Sequence, residues 1–153
     1  MKIQSSDFRD GQRLPNQFSL DRGNKSPSLQ WSELPPDTKE LALICDDPDA
    51  PVKTWVHWVI YGIPASVDHF DAGVASKPVL EVPAGTKHGR NDFGNTGYDG
   101  PKPPPGPRHR YFFRLFALKE PLTLAPGATA QQLRKAIEGK VLDKAEMIGT
   151  YSR

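Results

Sequence analysis

A chain of 153 residues has room for one domain with one core, and little more. Twenty Lys and Arg against 18 Asp and Glu leave a net charge of +2, too even a balance to build the basic face that nucleic acid requires, so no nucleic-acid partner is expected. One cysteine excludes an intrachain disulfide, and no stretch approaches the ~20 apolar residues that span a bilayer, so membrane insertion is not expected.

In chain order, the opening MKIQSSDFRDG lacks the apolar centre of a signal peptide. Together with a lone Cys45 set inside LALIC, this points to a cytoplasmic, reducing setting and a buried structural thiol. MKIQSSDF and LQWSEL are candidate strands with a weaker pattern. KELALICDD, TWVHWVIYGI and HRYFFRLFALK are apolar, β-branched and aromatic, bounded by turn residues, and predict buried strands. VLEVPAG and KHGRNDF predict shorter strands, with Pro83 assigning them to an edge. TAQQLRKAIEG predicts a helix from an N-cap at Thr129 to a C′ glycine at Gly139, with Leu133, Ala136 and Ile137 on one face. AEMIGTYSR predicts a last strand. The expected fold is mostly β, an antiparallel β-sandwich or Greek key in one domain over residues 1–153, with one or two short peripheral helices.

Three polar groups sit where predicted strands begin or end. DDPDAP, residues 46–51, follows a buried strand, and Pro48 and Pro51 fix the backbone so that Asp47 and Ala50 are extended. By itself this is an Asx-type turn in which an aspartate caps its own backbone. TWVHWVIY predicts by alternation that Trp55, His57 and Val59 share one face and Val56, Trp58 and Ile60 the other. His57 is then indoors, as a buried neutral histidine or a pocket group. Between Gly94 and Pro107, nine of fourteen residues are Gly or Pro, a segment stiff enough to order around a ligand at little entropic cost. It delivers His109 and Tyr111 to one strand face, while Arg110 faces away into an ion pair. Converging at one rim, these groups make a polar pocket. Two imidazoles donate to an anion, a carboxylate orients them, and a carboxylate also offers a seat for a cation. That combination suits a phosphate ester, especially the zwitterion phosphoethanolamine.

DDPDAP, then WVHW, then the GNTGYDGPKPPPGPRHRY of residues 94–111 resemble the two motifs of the phosphatidylethanolamine-binding protein family, also called the Raf kinase inhibitor protein family. The resemblance covers essentially the whole chain, and its ending is similar to the short bacterial and archaeal branch. It implies an antiparallel β-sandwich with an anion pocket at one end that takes phosphate, phosphoethanolamine or similar anions. By motif position it implies ligand-binding roles for Asp47, Asp49, Trp55, His57, Gly100, Pro103, His109 and Tyr111. It also implies homodimers and, as protein partners, a kinase or a protease.

The expected function is a non-enzymatic binding module for a small anion or phosphate ester, regulating a kinase or other signalling partner through occupancy of its pocket. The alternative is a serine protease or kinase inhibitor acting through the exposed PKPPPGP loop. Catalysis is disfavoured: no HxH, HExxH or CxxC spacing offers a metal centre, and no GxSxG presents a nucleophile, so neither cofactor nor metal is expected.

Overall fold

A computed structural model describes all 153 residues. In chain order the elements are β1 (Lys2–Gln4), β2 (Leu29–Ser32), β3 (Glu40–Asp47), β4 (Trp55–Pro64), β5 (His69–Phe70), β6 (Lys87–His88), β7 (His109–Leu118), α1 (Ala130–Ile137) and β8 (Val141–Tyr151). They form two antiparallel sheets. One has three strands in the order β1-β2-β5, the other five in the order β6-β4-β3-β7-β8.

Alternation along β3 and β7 gives the large sheet two apolar faces. Leu41, Leu43, Cys45, Phe113 and Leu115 point inward and pack with Leu29, Trp31 and Phe70 of the small sheet. Ala42, Ile44, Phe116 and Leu118 point outward against Leu133 and Ile137 of α1. Cys45 is buried as expected, and burial pushes its thiol well above its ordinary value, which makes it inert packing. The helix begins in a capping box. Thr129 Oγ1 accepts from the Gln132 N–H at 3.2 Å and Gln132 Oε1 accepts from the Thr129 N–H at 2.9 Å, satisfying two orphan donors. Gly139 closes the helix with φ +73°, where a side chain would be strained.

The strands around residue 85 depart from expectation. VLEVPAG is a turn, closed by Leu80 N–H to Thr86 O at 2.7 Å and Thr86 N–H to Pro83 O at 3.2 Å. KHGRNDF keeps only Lys87–His88 as a strand. Beyond it, Gly89 leans its backbone so close to Val59 and the Ala128 carbonyl that no Cβ fits, and the regular ladder ends. The last strand begins at Val141, four residues before the predicted AEMIGTYSR, because its register with β7 continues back to Leu118. No helix is long and apolar enough to cross a membrane.

Candidate functional site

β3 runs antiparallel to both of its neighbours, so its C-terminal end lies beside the N-terminal ends of β4 and β7. That arrangement brings Asp47, Trp55, His57, His109 and Tyr111 to one rim. They line a cleft of about 230 Å³ together with Phe93, Pro103 and Pro104. Of the proline run, Pro103 and Pro104 therefore face the cleft.

His57 arrives there by a route the alternation rule missed. Asp46 pairs with Val56 and Cys45 with Trp58, so His57 is the extra residue of a β-bulge. Past the bulge the alternation reverses. Trp58 and Ile60 enter the inner core and Val59 the outer one, opposite to the predicted faces. The bulge turns His57 onto the same side as Tyr111, their ring centroids 5.1 Å apart.

Each of the two imidazoles is fixed through Nδ1. His57 Nδ1–H donates to the Asp99 carbonyl at 2.6 Å, and the Asp99 N–H donates back to the His57 carbonyl at 3.1 Å. His109 Nδ1–H donates to Asp47 Oδ2 at 2.7 Å, and Asp47 Oδ1 accepts the Asp49 N–H at 2.8 Å. Asp47 thus makes its Asx turn and orients a histidine at once. With both Nδ1 atoms engaged, Nε2 is the nitrogen each ring has left for a ligand. Burial pushes the His57 imidazole below its ordinary value, and the Asp99 carbonyl and nearby carboxylates only partly offset this. Burial and the Asp47 carboxylate push the Tyr111 phenol far up, so it is a permanent O–H donor. Trp55, at the cleft wall, has its indole N–H buried without a partner, a costly state for a donor.

Behind His57, Asp99 is held in place by side chains. Asn24 Nδ2 donates to Oδ1 at 2.8 Å, and Asn91 and Asn95 Nδ2 donate to Oδ2 at 2.8 and 2.9 Å. The backbone carbonyl that fixes the His57 tautomer is therefore itself anchored.

Two of the expected ligand residues lie elsewhere. The Asp49 carboxylate turns away from the cleft to Arg110, accepting its backbone N–H at 2.9 Å, Nε at 2.9 Å and Nη2 at 3.0 Å. The Arg110 guanidinium accordingly lowers the Asp49 carboxyl. Arg110 does face away from His109 and Tyr111 into an ion pair, and Asp49 is its partner. The role of Asp49 is to clasp the DDPDAP turn to the start of β7. Gly100 is a packing residue: a Cβ there would sit 1.9 Å from the Phe18 carbonyl oxygen, and its N–H donates to Asn24 Oδ1 at 2.7 Å. The remaining histidines are outside the cleft. His69 is exposed between Asp68 and Asp71. His88 is fully buried, with Nδ1–H donating to Lys77 O at 2.8 Å and Nε2 accepting the Trp58 indole N–H at 3.0 Å.

Sequence reasoning missed Phe93, Lys53, Lys102 and Asp99. The two lysines lie within the loops that carry the motifs, so the loops themselves were the signal for them. Phe93, edge-on to both Trp55 and His57 at 5.5 Å, had none.

Comparison with known proteins gives a consistent result. A family model described as phosphatidylethanolamine-binding protein matches residues 4–152. A UPF0098 protein of Methanothermobacter thermautotrophicus is 46% identical, with 100% of this chain and 99% of that protein covered. The UPF0098 protein YbhB of Escherichia coli is 37% identical, with 99% and 100% covered. Among solved structures, Escherichia coli YbcL, described as a member of the mammalian PEBP family, superposes with a TM-score of 0.93 at 31% identity, covering 99% of this chain and 98% of that one. A phosphatidylethanolamine-binding protein homologue of Chlamydia trachomatis gives 0.89 at 32% identity, covering 99% and 97%.

Proposed function

Because the chain belongs to the phosphatidylethanolamine-binding protein family, we propose that it is a binding module whose cleft takes a small anion or the phosphate of a phosphate ester. The observation that carries this is the pair of imidazoles, each tied back through Nδ1 and each with Nε2 left for a ligand in the same cleft. His109, tied through Nδ1 to the Asp47 carboxylate, leaves Nε2 as its nitrogen for the ligand. His57, kept neutral by burial, presents an Nε2 lone pair, which accepts from the O–H of a singly protonated phosphate. Tyr111, which keeps its phenolic proton, lines the same space.

Nothing in this arrangement calls for a chemical step. Each ring engages the protein through Nδ1 alone, and no serine or cysteine lines the cleft to act as nucleophile. Occupancy itself is then the output. A partner protein that senses whether the cleft is filled would do so across the Pro-stiffened rim.

Calorimetric titration of inorganic phosphate tests the reading. The expected result is saturable binding by the wild-type chain and a loss of about tenfold or more in His109→Gln, the scale of one charge-assisted hydrogen bond. Equal affinity in the two proteins would remove His109 from the site.

A further inference from the structure

We infer that a hollow lined by Arg13, Arg22 and Arg153 is a second ligand site, separate from the histidine cleft, and that it takes compounds carrying two or more carboxylates. The hollow measures about 490 Å³, inside the ~300–1,000 Å³ range of small-molecule sites, and no residue lines both it and the cleft. Its lining comes from residues between Arg13 and Arg22, from Pro101 and from Tyr151–Arg153. Backbone bonds tie these parts together. Leu14 N–H donates to the Thr150 carbonyl at 2.8 Å, and Leu20 N–H to the Pro101 carbonyl at 3.0 Å.

Arg13 is the group that makes this a receptor. Its guanidinium lies 4.4 Å from the centre of the Tyr151 ring, and Nη1 donates to the Leu14 carbonyl at 3.2 Å and to Asn16 Oδ1 at 3.0 Å. All three partners are neutral. The fork is held in place while its charge goes uncompensated, and Nε and Nη2 stay free to donate. Asn16 Oδ1 also accepts from the Tyr151 hydroxyl at 3.3 Å, which leaves the Asn16 amide nitrogen as a further donor. Arg22, exposed, adds a guanidinium that no carboxylate of the protein meets. Arg153 is the committed member. Its Nε donates to the Pro103 carbonyl at 2.6 Å, and Nη1 lies 3.6 Å from Asp21, which Lys102 shares at 3.4 Å. Three guanidiniums thus line a hollow with one carboxylate, and that carboxylate already answers two cations. Guanidinium forks match carboxylates bidentately, and a fork fixed beforehand loses little freedom on binding. With two unpaired forks on one hollow, a second carboxylate on the same ligand engages without a second cost of association.

The test is calorimetric titration of citrate, acetate and a blocked tetraglutamate into the wild-type chain and four variants. Citrate is expected to bind saturably, with about tenfold loss in Arg13→Gln and about threefold loss in Arg22→Gln. His109→Gln, in the other cleft, should leave citrate affinity within about twofold. The Arg22 side chain bonds to nothing else in the protein, so its substitution keeps the test sharp if Arg13→Gln disturbs Tyr151. Lys135→Gln removes an equal charge from the exposed side of α1 and controls for general electrostatics. A loss in Lys135→Gln equal to that in Arg13→Gln, or a loss confined to His109→Gln, overturns the site, as does citrate that fails to bind at millimolar concentration. Acetate binding as tightly as citrate overturns the preference for several carboxylates. Tetraglutamate binding more tightly than citrate, and weakened by the same two arginine variants, upholds the site and assigns its carboxylates to an acidic protein segment instead of a free compound.

Discussion

Asp46 and Asp47 are neighbours on one strand and face opposite sides of the same sheet. Asp46 points outward into a closed network. Arg114 donates from Nε to both of its oxygens at 3.2 Å and from Nη2 to Oδ1 at 3.0 Å, and Arg134 Nη2 reaches Oδ2 at 3.2 Å. Arg114 also holds Glu146 Oε2 at 3.0 Å from Nη1. Asp47 points inward to an imidazole whose second nitrogen is left for something outside the protein. The two residues are equally buried, at 3% exposure each, so burial does not separate them. The difference lies in whether the partners are themselves satisfied. A buried polar cluster that closes on itself ties elements together; one left open at one end is a receptor.

The first way to break this contrast is Asp46→Asn. It strips both arginines of their shared carboxylate beside a buried position, and should cost about 2–3 kcal/mol in urea unfolding, discounted because the arginines are partly exposed. Phosphate affinity in the folded protein should stay within about twofold, since Asp46 does not face the cleft. Asp47→Asn should reverse the pattern. The neutral amide still accepts a hydrogen bond, so stability should fall by only about 1 kcal/mol, while phosphate affinity drops about tenfold because the His109 ring loses the charged partner that orients it.

A gentler test sharpens the same contrast between two histidines. His88 is closed on both ring nitrogens and His57 on one. Burial lowers both below the ordinary value of 6.5. Between that value and the lowered one, the unfolded chain holds protons that the native chain excludes, so stability rises with pH there and is lost as pH falls below about 6.5. His88→Gln should flatten part of that acid slope and leave phosphate binding in place. A slope identical to wild type in urea titrations stepped from neutral to acid would show that His88 carries none of it.

Much of this was legible in the sequence, for physical reasons that differ by element. The buried strands announced themselves because β3, β4 and β7 are covered on both faces and read as continuous apolar runs. The helix was legible because its start is a local device, Thr129 with Gln132. Convergence of Asp47, His57 and His109 followed from three strand ends meeting at one rim. The bulge at His57 was not legible, because a bulge is a relation between β4 and β3 that neither strand encodes alone. Asp49 and Gly100 carried motif positions yet serve the scaffold, and only the paths of Arg110 and Phe18 reveal it. Nor could the sequence say that Asp47 and Asp49 would be met by His109 and Arg110, donors 62 and 61 residues away.

The central claim is that His57 and His109 turn Nε2 to a ligand while the other two histidines do not. Nitrogen-15 NMR of the four imidazoles, recorded with and without inorganic phosphate, tests it directly. The account predicts that the Nε2 signals of His57 and His109 shift on saturation, with Nδ1 of both still protonated, and that those of His69 and His88 hold still. Unmoved His57 and His109 signals at saturating phosphate, or a response confined to His69, would contradict it.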